Sequence, residues 1–264
     1  VTFDWGYFWQ SLLTPTPAFL QGLALTVVIS VVSMILALIV GLAIALMGRS
    51  SILPLKVFAS GYIWLIRGTP LLVQLVIIYT GFAAAGVFRF EDINVVGVLV
   101  KAAVQAAIVG FTLNESAYIS EIVRSGLESV DRGQTEASLA LGMRPGSAMR
   151  WIVVPQAFRI MIPPLGNSFN GLMKSTSILS VIGVGELFQQ AEVLSAATFK
   201  TFEIFAVVAI YYLALTTIWT FAQTAIENSI NKRAGLPVTA SVLNRLFGAR
   251  KGRSALMVQG RDGQ

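Results

Sequence analysis

The sequence predicts an all-α membrane protein with five transmembrane helices, its N-terminus outside and its C-terminus in the cytosol. Three observations predict it. Hydrophobic residues make up 55% of the 264-residue chain, charged residues only 12%, and the mean hydropathy is +0.75; a soluble domain carries about 25% charged residues. Five apolar stretches, 18–47, 54–82, 97–122, 158–185 and 202–227, each reach the roughly 20 residues that cross a hydrocarbon core. Lysine and arginine divide unevenly between the connections. One set holds Arg49, Lys56, Arg124, Arg132, Arg144, Arg150, Arg159 and seven cations of the tail; the other holds Arg89, Lys101 and Lys200. The positive-inside rule places the crowded set in the cytosol.

Taken in order, residues 1–17 form an N-terminal interfacial segment, because Trp5, Tyr7, Phe8 and Trp9 suit the headgroup level. No basic n-region precedes the first apolar run, so no cleavable signal peptide is expected. The transmembrane domain extends over 18–230. Its first span, Ala18–Met47, carries no charge and closes at Gly48-Arg49. The second, 54–82, is interrupted by Arg67-Gly68-Thr69-Pro70. Thr69-Pro70 reads as an N-cap followed by proline at the first helical position; the alternative is a proline kink with Arg67 snorkelling. Residues 83–96 read as a polar loop. The third span, 97–122, ends in a polar cluster of Asn114, Glu115, Ser116, Tyr118, Ser120 and Glu121, where Glu121 and Arg124 share a helix face. A long polar segment at 124–157 follows. In the fourth span, 158–185, Pro163, Pro164, Gly166 and Gly171 predict a break or kink, and Lys174-Ser175-Thr176-Ser177 lies deep in apolar sequence. Residues 186–201 read as a loop, 202–227 as the fifth span, and 231–264 as a basic cytosolic tail with a disordered end.

The chemistry available is narrow. With no cysteine and no histidine, thiolate chemistry, Cys/His metal sites and a histidine proton shuttle are excluded. There is no G-x-x-x-x-G-K-[ST] loop to cradle phosphates, no G-x-S-x-G and no HExxH. No cofactor, metal or nucleic-acid partner is expected in this chain. What remains is polar residues inside the bilayer, which are costly and mark functional positions by default. Arg67–Pro70, Asn114–Tyr118 and Lys174–Ser177 are placed where transporters build polar substrate sites. A zwitterion would suit them: Arg67, Lys174 or the N–H groups after Thr69 for its carboxylate, Glu115 or a carbonyl near the breaks for its amine. The competing reading pairs Arg67 with Glu115 to fix helix packing.

The segment Asp131–Met143 is the other candidate site. It reads as a short amphipathic helix with a small-residue face, Ala137 and Ala140, and Gly142 as its stop. Glu136-Ala137-Ser138, three residues, Gly142, nine residues, Ile152, two residues and Pro155 resemble the EAA loop of ABC-importer permeases, with serine in place of the second alanine. Arg67-Gly68-Thr69-Pro70 followed by Gln74 resembles the R-G-T-P-x-x-x-Q element of the polar amino acid uptake branch, the histidine, glutamate, glutamine, arginine and opine permeases. Glu115–Gly126 resembles the segment that leads into its loop, and the likeness extends from Gln21 to Arg233. One position departs: members often read K-D-T-S where this chain has Lys174-Ser175-Thr176-Ser177.

The resemblance implies a type I ABC-importer transmembrane fold in a bacterial inner membrane. It implies a second permease subunit, identical or related, and an extracytoplasmic substrate-binding protein. A cytosolic ATPase dimer would bind ATP and Mg²⁺ and drive alternating access. Arg132, Glu136, Ala137, Ser138, Leu139, Gly142 and Met143 would couple to that ATPase. Arg67, Gly68, Thr69, Pro70, Gln74, Asn114, Glu115, Tyr118, Lys174, Ser175 and Thr176 would line the path of a polar amino acid. The rival is an ion-coupled secondary amino acid carrier, which would need coupling-ion ligands and usually an internal repeat.

Overall fold

Thr16 and Pro17 start the first long helix by two local devices. The Thr16 hydroxyl accepts the Phe19 N–H at 3.3 Å, and Pro17 occupies the first turn, where its missing N–H costs nothing. A computed structural model describes residues 3–95 and 97–235 of the chain; the tail expected beyond 235 lies outside them. Contacts divide the chain into a unit ending at Leu215 and another beginning at Thr216.

In the first unit, α1 (Trp5–Leu13) precedes α2 (Pro17–Gly48), α3 (Leu53–Arg67) and α4 (Leu71–Val76). A π turn, Ile77–Gly81, joins α4 to a last helical turn, α5 (Phe82–Ala84). Two short strands follow, β1 (Ile93–Val95) and β2 (Val98–Val100), paired antiparallel with Ile93 opposite Val100. Next come α6 (Ala102–Glu128), α7 (Arg132–Ala140), α8 (Pro145–Ala148), a π turn at Met149–Val153, and α9 (Val154–Ser175). A 3₁₀ stretch, Thr176–Ile182, leads to α10 (Leu187–Thr198) and α11 (Thr201–Arg233).

The centre of the packing is α6, which lies against α2, α3, α4 and α9. Small residues let the helices approach closely, the usual means of helix association in a membrane. The α2 stripe Thr26, Ser30, Ser33, Ala37, Gly41 and Ala45 is buried at helical spacing. At Gly41 a Cβ would sit 2.8 Å from Ile119 Cγ2 and 2.9 Å from the Ser116 carbonyl.

Among the described residues two helices are long and apolar enough to cross a membrane, α2 and α11. The number reaches four if each bent pair is one span: α3 with α4–α5, bent by 104°, and Pro145–Ile182 with α10, bent by 52°. α6 falls outside this set because Gln105, Asn114 and Glu115 dilute it, while neighbouring helices shield it.

Several expectations change. Residues 83–96 are not wholly loop, since a hairpin occupies Ile93–Val100, and the third helix begins at Ala102 rather than 97. Pro163 and Pro164 lie inside α9, which continues past them; the break comes later, at Gly183–Glu186. Helix walls provided by neighbours tolerate proline in this way. The expected loop 186–201 is mostly α10.

At the other end of the chain α1 is tied down. The Asp4 side chain caps it by accepting the Tyr7 N–H at 3.0 Å, and it pairs with Lys200 at 2.9 Å. The Asp4 N–H donates to Glu203 at 2.8 Å and the Tyr211 hydroxyl to the Leu12 carbonyl at 2.9 Å. The Tyr7 N–H, and then Lys200, hold the Asp4 carboxyl below its ordinary value; Asp4 in turn raises Lys200. Phe8, Phe19, Leu187, Ala191, Ile204 and Val207 form the apolar cluster beneath. Considered alone, the second unit continues α11 from Thr216 to Arg233, with threonine hydroxyls returning to carbonyls four residues back.

Candidate functional site

The break in the second span is built by four consecutive residues and sutured by a fifth. Gly68 closes α3 by donating its N–H to the Trp64 carbonyl at 3.0 Å, and a Cβ there would lie 2.7 Å from that oxygen. Pro70, not Thr69, is the N-cap of α4, with no side-chain cap. The expected Thr69 cap is therefore corrected: its hydroxyl donates back to the Leu65 carbonyl at 2.9 Å. The buried Gln74 amide then gathers the loose ends. Its Nε2 reaches the Ile66 carbonyl at 2.8 Å and the Thr69 hydroxyl at 2.7 Å, while its Oε1 accepts from Asn114 Nδ2 at 2.9 Å. Unpaired carbonyls at a helix end are costly inside a bilayer, and one amide satisfies them here. Gln74 and Asn114 are thus engaged with each other.

Arg67 does not pair with Glu115. Its guanidinium lies 5.3 Å over the Tyr118 ring and 3.5 Å from Glu121. Tyr118 and Glu121 are one turn apart on α6; Glu115 lies a further turn back, about 60° around the helix from Tyr118 and about 120° from Glu121. Glu121 also accepts from Arg124 at 2.9 Å, and Arg124 reaches Glu128 at 2.8 Å. Glu115 turns instead towards Ser168 of α9, with Oε2 buried and unpartnered among the described residues. Thr112 Oγ1 and Asn170 Oδ1 share that condition.

Lys174, Ser175 and Thr176 stand apart from this cluster. Lys174 is exposed, and Ser175 ends α9. Thr176 is buried, donating to the Met173 carbonyl at 2.8 Å and lying 3.3 Å from the Tyr212 hydroxyl. α4 packs against the 3₁₀ stretch, so the two breaks are neighbours. A cavity of about 780 Å³ opens elsewhere, between Tyr79–Thr80 and Arg89–Asp92, and none of the expected pathway residues lines it.

One residue escaped the sequence reading. Glu186 is fully buried, caps α10 through the Gln189 N–H at 2.9 Å, and accepts from the Tyr212 hydroxyl at 2.9 Å and the Thr26 hydroxyl at 3.2 Å. The available signal was Gly183 and Gly185 followed by Leu187, Ala191 and Leu194 at helical spacing.

The loop site is simpler. Asp131 caps α7 by accepting the Gly133 N–H at 2.6 Å. The helix ends in a Schellman turn: Met143 N–H to the Ser138 carbonyl at 3.1 Å, Gly142 N–H to the Leu139 carbonyl at 2.9 Å, and Gly142 at φ +83. Ser138 faces inward; Arg132, Glu136, Ala137 and Leu139 face outward, and Met143 is half-buried. Among the described residues Arg132 and Glu136 make no ion pair. Val130, Val153, Ala157 and Met161 form an apolar seat that joins the end of α6 to α9 below the loop.

Residues 37–232 match the family of binding-protein-dependent transport system inner membrane components. The chain belongs to this family, the permease subunits of ABC importers. It is accordingly a multi-pass protein of the bacterial inner membrane. It is 38% identical over 224 residues to the probable amino-acid permease protein YxeN of Bacillus subtilis, covering 85% of this chain and 96% of that one. It is 36% identical over 214 residues to the arginine transport system permease protein ArtQ of the same organism, covering 81% and 93%. Among solved structures, an amino acid ABC transporter with histidines shares 37% identity and a TM-score of 0.75 over 86% of this chain and 99% of that chain. These relatives give an ion-coupled carrier no support.

Proposed function

We propose that this permease imports a polar amino acid by alternating access, driven by a separate ATPase. The observation that carries the reading is α7, an outward-facing nine-residue helix whose Arg132 and Glu136 make no ion pair among the described residues and whose end is closed by a glycine. A helix that short needs a partner to be stable. In this reading α7 docks in a groove of a cytosolic ATPase dimer, which binds ATP and Mg²⁺. On the same reading the permease chain supplies neither the nucleotide site nor a metal site of its own. A second permease subunit, identical or related, completes the pathway, and an extracytoplasmic binding protein delivers the substrate. The chain crosses the membrane five times, through α2, the bent α3–α4 pair, α6, α9 and α11, with the N-terminus outside. The exposed Trp5 and Trp9 of α1 lie at the outer headgroup level.

Arg67 is the group best suited to a substrate carboxylate. It is 43% exposed, and its 3.5 Å contact with Glu121 is loose enough to exchange. Glu115 suits the ammonium. Gly68, Thr69, Pro70, Gln74 and Asn114 hold the frame, Tyr118 backs Arg67, and Lys174, Ser175 and Thr176 enter the path from the second break, whose 3₁₀ stretch packs against α4. Ser175, where the resembling permeases often carry aspartate, weakens the case for a cationic substrate side chain, even though one relative is named for arginine.

The test is reconstitution of the complex with its binding protein and a panel of amino acids. The expected result is ATP hydrolysis and uptake stimulated by a narrow set of polar amino acids. Uptake driven by an ion gradient without ATP would overturn the assignment. Unchanged uptake and affinity in both Arg67→Ala and Glu115→Ala would overturn the proposed path alone.

A further inference from the structure

Where α2 turns into α3, two cations lie without an ion-pair partner among the described residues. Arg49 follows the last turn of α2 and Lys56 lies in the first turn of α3. Both line a groove of about 510 Å³ between α2, α3 and α6. The groove's other charges are one cation and two carboxylates, Arg124 held by Glu121 at 2.9 Å and by Glu128 at 2.8 Å, and Arg67 outside the groove, 3.5 Å from Glu121, neutralises the remaining negative charge. Arg49 and Lys56 therefore leave the groove with uncompensated positive charge at one end.

Beyond those two cations the α6 wall carries Ser120 and the Glu121–Arg124–Glu128 cluster, whereas the wall that α2 and α3 contribute is mainly apolar. Ile44 and Ile63 line it, and Trp64, 78% exposed, forms the open side of the trough. Its cationic end lies where the uncharged run Ala18–Met47 stops, which is where hydrocarbon gives way to headgroups. A site with cations at the membrane boundary and a mainly apolar wall running inward matches a ligand with an anionic head and an apolar tail. A docked protein would supply acidic side chains but would have no use for a trough leading into the bilayer.

We infer that this groove binds an anionic phospholipid of the cytosolic leaflet, its phosphate between Arg49 and Lys56 and an acyl chain against Ile63 and Trp64. The inference rests on the proposed orientation. Each cation near an anionic headgroup contributes roughly a five-fold preference, so the pair contributes roughly thirty-fold.

The test uses the purified permease–ATPase complex in mild detergent. Phosphatidylglycerol and phosphatidylcholine with matched acyl chains are added, and native mass spectrometry counts retained lipid. Preferential retention of phosphatidylglycerol is expected. It should fall roughly thirty-fold in Arg49→Gln/Lys56→Gln, return in the charge-conserving Arg49→Lys/Lys56→Arg, and persist in Arg89→Gln/Lys101→Gln. Equal retention in the Arg49→Gln/Lys56→Gln variant would overturn the inference. So would displacement by millimolar glycerol 1-phosphate, which would mark a site for small anions, or retention only when the ATPase is removed, which would mark an ATPase contact. ATP-driven uptake by the same preparations reports separately on transport. Uptake that survives loss of the lipid preference leaves the permease reading intact.

Discussion

Replacing Gly142 isolates what the end of α7 contributes. Its φ of +83 is a left-handed conformation, and nothing lies within 4 Å of where a Cβ would be. Gly142→Ala therefore meets no steric neighbour, and its cost is conformational, about 1–2 kcal/mol. Two capping hydrogen bonds depend on that conformation, Gly142 N–H to Leu139 and Met143 N–H to Ser138. A nine-residue helix has little reserve against such a loss. If the formed helix is what the ATPase binds, affinity falls by the same free energy, roughly five- to thirty-fold. Gly142→Asn, which tolerates the left-handed region, should lose much less. The assay is ATPase binding to the permease in detergent, alongside the ratio of ATP hydrolysed to amino acid transported after reconstitution. If the alanine and asparagine variants both behave as the parent, the helix end does not set docking. Gly142→Asp adds a charge at the same point and should uncouple hydrolysis from uptake or release the ATPase.

Other outcomes follow from the packing. Gln74→Leu leaves the Ile66 carbonyl without its partner and Asn114→Leu leaves Gln74 Oε1 alone, each costing about 1–3 kcal/mol. Thermal midpoints should show the double variant costing less than the sum of the singles, since the two side chains share one bond. Gly41→Val should overpack the α2–α6 seam, where Ile119 lies 2.8 Å from the new Cβ, at about 1–3 kcal/mol in the same assay. The Asp4–Lys200 pair gives a pH prediction. Asp4 is lowered in the fold, so its contribution is complete above its ordinary value near pH 4 and is lost as the pH falls through the lower, folded value. Lys200 is raised, so its contribution is complete below about pH 10 and is lost as the pH rises through the higher one. Protection factors of the α1 amides, which remove the intrinsic pH dependence of exchange, should stay flat between those limits and fall outside them, and Asp4→Asn should abolish the acid limb.

What the chain alone determined is what depends on near neighbours. The uncharged run Ala18–Met47 marks a membrane helix because solvent transfer is summed residue by residue. Gly142 marks a helix stop because only glycine enters the left-handed region at no steric cost. Gly68-Thr69-Pro70 marks a break because proline removes a donor and restricts the residue before it. The spacing from Glu136 to Pro155 carried the family resemblance for the same reason, since every part of it lies within one loop and its flanks. Only the tertiary structure decided which polar groups meet. Arg67 takes Tyr118 and Glu121 rather than Glu115 because of how α6 is rotated against α3. Gln74 and Asn114, both read as open to substrate, are joined across 40 residues of sequence. Glu186, read as a loop residue, is buried because α2, α10 and α11 each bring a donor to it. Helix rotation and the pairing of distant segments are set by the packing of whole surfaces, and a local pattern of letters does not encode them.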